Sequence, residues 1–363
     1  MKTPKNILVI VTRRIGDVLL ATPLLHSLRV AWPDSFIDVL VYRGTESCLT
    51  ANNDINRVLA VDERSDLSDQ VSFMRTITGR YDMALSTQIG DRPTLYAFLA
   101  GKKRLGLVEK EFKQLWKRIL LSGWKEFDNR DTHTVLMNLA LADILGIEKH
   151  YNVIASWNGV NEERLRDLMA FEKKEETFAV IHPSPKFTYK MWRLEAWGQL
   201  ASALRERGYR IVVTGGGDPN EQRYIDTLLA HFPLDTVNMS GQLDLGEVAR
   251  LISDAAIYVG PDTCVTHMAA ALGTPTVALY GPTNPVKWGP WPLGWTSHTN
   301  PYKRRGTPQR AGNVILLQGK MDCVPCAEEG CDRSIDSESR CLHSITVNDV
   351  LSAVDSFAMG SNL

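Results

Sequence analysis

Three segments of the chain place charged, hydroxyl and glycine residues at spacings that can move a proton or hold a phosphate. The first, Thr12-Arg13-Arg14-Ile15-Gly16-Asp17-Val18-Leu19-Leu20, directly follows the apolar run NILVIV. Gly16 permits a tight turn, and Asp17 falls at the start of the next helix. Asp17 is either a first-turn acid that complements the helix dipole or a carboxylate acting as general base. The helix end favours the ionised form and so weakens a base, whereas a nearby anionic ligand pushes the other way. Arg13 and Arg14 are either a solvated turn or anion contacts.

The second segment, His182-Pro183-Ser184-Pro185-Lys186-Phe187-Thr188-Tyr189-Lys190-Met191-Trp192, separates an apolar run from a helix. A loop carrying Ser184 and Lys190 before a helix can hold phosphate, although loop lysines are commonly just solvated. The Gly-x4-Gly-Lys-Ser/Thr pattern is absent, which excludes a Walker site. In the third segment, Gly260-Pro261-Asp262-Thr263-Cys264-Val265-Thr266-His267, Asp262 or Thr263 caps a helix and His267 lies one turn inside it. His267 is either a structural imidazole or part of a site at that helix start. Gly215-Gly216-Gly217-Asp218-Pro219-Asn220-Glu221 lacks the third glycine of a dinucleotide fingerprint. Glu221 is a ribose acceptor or a favourable first-turn acid.

Two further stretches carry chemistry of another kind. Cys323, Cys326, Cys331 and Cys341 place four of the six cysteines in one short segment. In a reducing compartment this suggests a structural zinc site, with reduced thiols or disulfides as the other readings. Gly101–Arg118 holds seven Lys/Arg against two Glu, with Phe112, Leu115 and Trp116 interleaved. It reads as a solvated helix face, or as a peripheral contact with an anionic membrane or an anionic acceptor.

The elements that position these residues follow from periodicity. Short apolar runs (Asn6–Thr12, Phe36–Tyr42, Val58–Val61, Met83–Ser86, then Phe178–His182, Tyr209–Thr214, Thr236–Met239, Ala256–Val259 and Thr276–Tyr280) predict buried strands. Amphipathic stretches between them, such as Gly16–Ala31, Ser68–Thr78, Asp131–Leu145 and Arg193–Arg207, predict helices. Alternation of this kind gives βαβ units and parallel sheets. The expected fold is α/β, with two doubly wound Rossmann-like domains facing a central cleft. The charged stretch Asn161–Glu176 marks the boundary, giving domains 1–165 and 166–345 and a terminal helix, 346–363, that packs back on the first domain.

Composition fits this plan. The 363 residues are 44% hydrophobic and 23% charged with a formal charge of -1, which excludes disorder as the main state and a nucleic-acid-coating protein. Residues 7–11 are too short for an export signal, and the uncharged stretch Thr263–Val286 is broken by glycine and proline. The expectation is a cytoplasmic protein, at most peripheral to a membrane.

Together the segments resemble the ADP-heptose:lipopolysaccharide heptosyltransferase family (glycosyltransferase family 9), inverting enzymes of the GT-B type. The resemblance rests on Arg13-x-x-Gly16-Asp17-Val18-Leu19-Leu20-Ala21-Thr22-Pro23 and on Gly260-Pro261-Asp262-Thr263-Cys264-x-x-His267-x-Ala269-Ala270-Ala271-Leu272-Gly273, continued by Val277-Ala278-Leu279-Tyr280-Gly281-Pro282-Thr283. It implies that Asp17 is the catalytic base, that Lys190 contacts donor phosphate and that Glu221 contacts the ribose. It also implies that Asp262, Thr263 and His267 hold the diphosphate and sugar of ADP-L-glycero-β-D-manno-heptose. Ser184 joins the expected donor site, while Arg13 and Arg14 meet the lipid A–Kdo inner-core acceptor. The family carries glycine where Cys264 stands, so this side chain must point away from phosphate. No Asp-x-Asp occurs, so the expected transfer needs no metal cofactor, leaving zinc as structural only. The competing expectations are a transferase or epimerase using another nucleotide sugar, and a non-catalytic zinc-bearing binding protein.

Overall fold

Apolar side chains on both faces of a strand are stable only in the middle of a layered sheet, and both halves of the chain build one. The computed structural model describes residues 3–64, 66–109, 111, 114–157, 159–169 and 177–360. The chain divides into two units, Met1–Ser156 with Thr296–Asn300, and Trp157–Trp295 with Pro301–Leu363.

The first unit contains β1 (Asn6–Val11), β2 (Phe36–Tyr42), β3 (Arg57–Val61), β4 (Tyr81–Ser86), β5 (Gly101–Val108) and β6 (Gly123–Glu126). All pair in parallel, in the order β3-β2-β1-β4-β5-β6. The order in which strands are added reverses between β1 and β4, and the crevice beyond such neighbouring strand ends is where ligands bind in doubly wound sheets. Leu8, Ile10, Leu40 and Ala84 on one face bury Tyr96 and Ala97 of the helix Asp91–Ala100.

The second unit contains β7 (Phe178–Ile181), β8 (Arg210–Val213), β9 (Val237–Asn238), β10 (Ile257–Pro261), β11 (Thr276–Tyr280), β12 (Gln309–Ala311) and β13 (Val314–Gln318). Their order is β12-β13-β11-β10-β7-β8-β9, parallel except for the antiparallel β12–β13 pair. The reversal here lies between β7 and β10. One core face gathers Trp197, Leu200, Leu204, Val259 and Leu279, with Trp192 edge-on to Trp197 at 5.0 Å. The terminal helix Val347–Gly360 contributes Val350, Leu351, Ala353 and Val354 to this same core. It thus belongs to the second unit.

Other expectations are adjusted. The helix expected over Gly16–Ala31 is two, Ile15–Leu19 and Thr22–Ala31. Pro23 cannot donate to the earlier turn, and the Thr22 hydroxyl instead caps the Leu19 carbonyl at 2.7 Å. The division between units falls ahead of the charged stretch. Leu165 of helix Glu162–Met169 is buried and Arg164 pairs with Glu247, which holds this segment in the second unit; residues 170–176 lie outside the described residues. The basic stretch is not one helix either. Gly101–Val108 is the inner strand β5, where a side chain at Gly101 would meet Ala84 at 2.7 Å, and an α-helix follows at Leu115–Leu120. Phe112 lies outside the described residues. Among the described residues no helix is long and apolar enough to cross a membrane.

Candidate active site

The first unit presents Asp17 beyond the end of β1. Helix Ile15–Leu19 begins without a side-chain cap, so Asp17 sits in its first turn but does not cap it. Its side chain is 11% exposed and lies 3.4 Å from the Arg13 Nε. Arg14 turns to Glu63, also at 3.4 Å. Thr12 donates to the Gln88 side-chain oxygen at 3.1 Å, which ties the loop after β4 to the loop after β1.

In the second unit a buried cluster forms at the reversal between β7 and β10. Asp262, the first residue beyond β10, is 8% exposed and accepts from Lys190 Nζ at 2.6 Å and Thr283 Oγ1 at 2.7 Å. His267 Nε2 lies 4.0 Å from its other oxygen. Burial opposes ionisation of Asp262 and is the largest single influence, yet Lys190, His267 and Thr283 together hold its carboxyl below the usual range. Burial pushes His267 down to about 4, against the pull of Asp262, so the imidazole is neutral near pH 7. Its Nδ1 is buried with no hydrogen-bond partner among the described residues. Thr263 caps the helix Cys264–Leu272 through the Thr266 amide. The first amides of that helix adjoin the cluster.

The loop after β8 carries the second half of this site. Burial raises the Glu221 carboxyl, while the Gly216 amide and the Ser184 hydroxyl, both hydrogen-bonded to it, work in the opposite direction. The Gly216 bond is 2.8 Å. A side chain at Gly216 would meet Glu221 Oε2 at 2.7 Å, and one at Gly215 would meet the Ile225 side chain at 2.3 Å, so a methyl group at either position must displace its neighbour. Asp218 caps the helix Pro219–Leu229 that presents Glu221. His182 is buried, bonds Thr214 at 3.0 Å and is lowered to about 4 by desolvation.

The structure therefore brings together Lys190, Asp262 and His267, places Thr263 at the adjoining helix start, and joins Ser184 to Glu221. Sequence reasoning missed Thr283 as the second donor to Asp262. Its signal was present in the Tyr280-Gly281-Pro282-Thr283 end of β11, a strand adjacent to β10. The zinc expectation is corrected. Burial first, then the neighbouring Cys326, Cys323 and Cys331, push the Cys341 thiol up to about 11. Yet among the described residues no three His, Cys, Asp or Glu side chains converge on a point that could hold a metal ion. Cys341 is buried while Cys323, Cys326 and Cys331 are exposed, all as free thiols.

A cation on a buried carboxylate beside helix-start amides, next to a carboxylate set for hydroxyl groups, suits a nucleoside diphosphate group. Two doubly wound units with this equipment fit a glycosyltransferase. Residues 71–311 match the model of glycosyltransferase family 9 (heptosyltransferase), and the chain belongs to that family. It is 26% identical over 295 residues to the lipopolysaccharide heptosyltransferase 3 of Escherichia coli K12, covering 76% of this chain and 82% of that one. Its fold is similar to the family 9 glycosyl transferase of Veillonella parvula (TM-score 0.76, 19% identity, 99% of each chain). It is also similar to the ADP-heptose lps heptosyltransferase II of E. coli (TM-score 0.73, 18% identity, 99% and 100% of the chains).

Proposed function

We propose that the protein transfers a heptose from ADP-L-glycero-β-D-manno-heptose to the lipopolysaccharide inner core, with inversion and without a metal, on the cytoplasmic side of the cell envelope. The Lys190–Asp262–Thr283 cluster beside the Cys264–Leu272 helix start carries this reading. Lys190 and the helix amides neutralise the departing diphosphate, a task that a bound cation performs elsewhere. Asp262 holds the lysine in place and turns to sugar hydroxyls as the phosphates draw Lys190 away. Neutral His267 offers a ring nitrogen to the same sugar. Glu221, steadied by Ser184, accepts from the ribose.

In the first unit Asp17 takes the proton of the acceptor hydroxyl. The oxygen of that hydroxyl forms the new bond to the anomeric carbon, and the carbon–oxygen bond to ADP breaks with its electron pair leaving on the phosphate. One displacement inverts the centre and needs no covalent sugar–enzyme intermediate. Arg13 and Arg14 meet the acid sugars of the lipid A–Kdo acceptor. The test pairs Asp17→Asn with Lys190→Ala. The first is expected to cut turnover by about 100-fold or more with donor affinity retained. The second is expected to weaken donor binding. Unchanged turnover in Asp17→Asn overturns the assignment of the base.

A further inference from the structure

Residues 263–321 contain no Asp or Glu, although 42 of the chain's 363 residues are acidic. The same stretch carries Lys287, Lys303, Arg304, Arg305, Arg310 and Lys320. Three of these are engaged within the second unit. Lys287 is buried, Arg310 lies over the Phe357 ring at 5.2 Å, and Lys320 pairs with Asp349 at 2.9 Å. The other three, Lys303, Arg304 and Arg305, are consecutive and exposed, and among the described residues no carboxylate pairs with any of them. Arg305 donates to the Asp322 main-chain carbonyl at 2.6 Å, a bond that leaves its charge unneutralised.

The triplet stands beyond the carboxyl end of β13, on the edge of the second sheet that holds the donor groups. Gln318, the last residue of β13, donates to the Arg304 carbonyl at 3.1 Å and accepts from the Gly306 amide at 3.2 Å. Its own amide donates to Thr307 Oγ1, also at 3.2 Å. Gln309 closes the other side. It accepts from the Lys303 amide at 2.8 Å and donates to the Lys303 and Gly306 carbonyls, both at 3.1 Å. These bonds fix the main chain while the three cationic heads stay in water. Like charges held side by side without counter-charge raise the local potential and favour an anion. β13 neighbours β11, whose following loop carries Thr283.

Resting on the proposed acceptor, we propose that Lys303, Arg304 and Arg305 form a subsite for a phosphate group on the acceptor's sugar chain. The planar fork of arginine matches phosphate oxygens two at a time, and three cations suit a dianionic phosphate better than a single carboxylate. The donor diphosphate fits less well, because Lys190 and the Cys264–Leu272 helix start already meet its charge.

The experiment is isothermal titration of the ADP-loaded protein with a delipidated, water-soluble acceptor fragment, either phosphorylated or treated with phosphatase. Wild type is compared with Arg304→Gln and with Lys303→Gln/Arg304→Gln. Wild type is expected to bind the phosphorylated fragment about tenfold or more tighter than the dephosphorylated one, and the double variant to lose that preference. Arg304→Gln is expected to lose part of it. Both side chains are exposed, so the variants keep the fold, and their melting temperature and ADP affinity are expected to match wild type. Wild type that shows no preference for the phosphorylated fragment, or a double variant that keeps the full preference, overturns the proposal. So does a double variant that loses ADP affinity instead, which assigns the triplet to the nucleotide. A loss confined to binding of phosphatidylglycerol vesicles overturns it as well, and assigns the triplet to lipid headgroups. The titration does not depend on heptose transfer. A protein that selects the phosphorylated fragment through this triplet but transfers no heptose overturns the function alone, and the reverse result overturns the subsite alone.

Discussion

Asp262 shows how a single buried carboxylate is kept ionised and useful. Thr283 donates one of its hydrogen bonds. Thr283→Val keeps the shape but leaves that oxygen without its second donor, a loss of about 1.5–3 kcal/mol for a bond to a charged group. The expected outcome is a raised KM for the donor with an unchanged KM for the acceptor, read from initial rates. The two buried histidines make a separate prediction at this scale. His182 and His267 fall from 6.5 to about 4 in the folded chain. Between those values the unfolded chain binds more protons than the folded one, so stability drops as pH falls from 6.5 toward 4, by on the order of 3 kcal/mol for each histidine. Urea denaturation of the second unit across that range checks the slope, and His182→Asn is expected to flatten it. A flat stability profile in the wild type counts against burial as the cause.

At the scale of elements, the site is made of loops that leave parallel strands, and each loop is fixed by the element behind it. Gly216 lies so close to Glu221 that an added methyl group must displace the carboxylate or the loop. Gly216→Ala is expected to weaken donor binding several-fold while costing about 1 kcal/mol or less of stability, as isothermal titration with ADP and thermal melting will show. These same elements explain what could be read from the sequence. Strands such as Phe36–Tyr42 announced themselves because buried parallel strands are continuous apolar runs. β5 did not, since Lys102, Lys103 and Arg104 open it and its apolar residues come only at Leu105–Val108. Asp262, Lys190 and His267 were legible as chemistry near strand ends, because helix starts and strand ends declare themselves locally. The Thr283–Asp262 bond joins residues 21 positions apart in the loops that follow two neighbouring strands, so each residue could be read locally but their pairing could not. The cysteines erred in the opposite direction: spacing put four thiols in one segment, but convergence on a metal depends on side-chain directions that spacing does not specify.

For the molecule as a whole, two sheets with their own cores divide the proposed labour, and the chain crosses between units at Ser156, Trp295 and Asn300. The short segment Thr296–Asn300 is held within the first unit, where Asn300 accepts from the His133 amide and donates to the Asp131 carbonyl, both at 3.1 Å. Every group assigned to the donor belongs to the second unit, and that makes ADP a selective probe. Ligand present at a hundredfold over its Kd stabilises whatever binds it by about 2.7 kcal/mol. In hydrogen exchange followed by mass spectrometry, ADP is expected to slow exchange in peptides over residues 182–190, 215–221, 260–267 and 280–283. Peptides from β1 to β6 are expected to exchange at their ligand-free rates, because their strand-end loops are assigned to the acceptor. Slowing concentrated instead at residues 12–20 places the nucleotide on the first unit. It then requires Asp17 and Arg13 to be donor groups, which reverses the roles given to the two sheets.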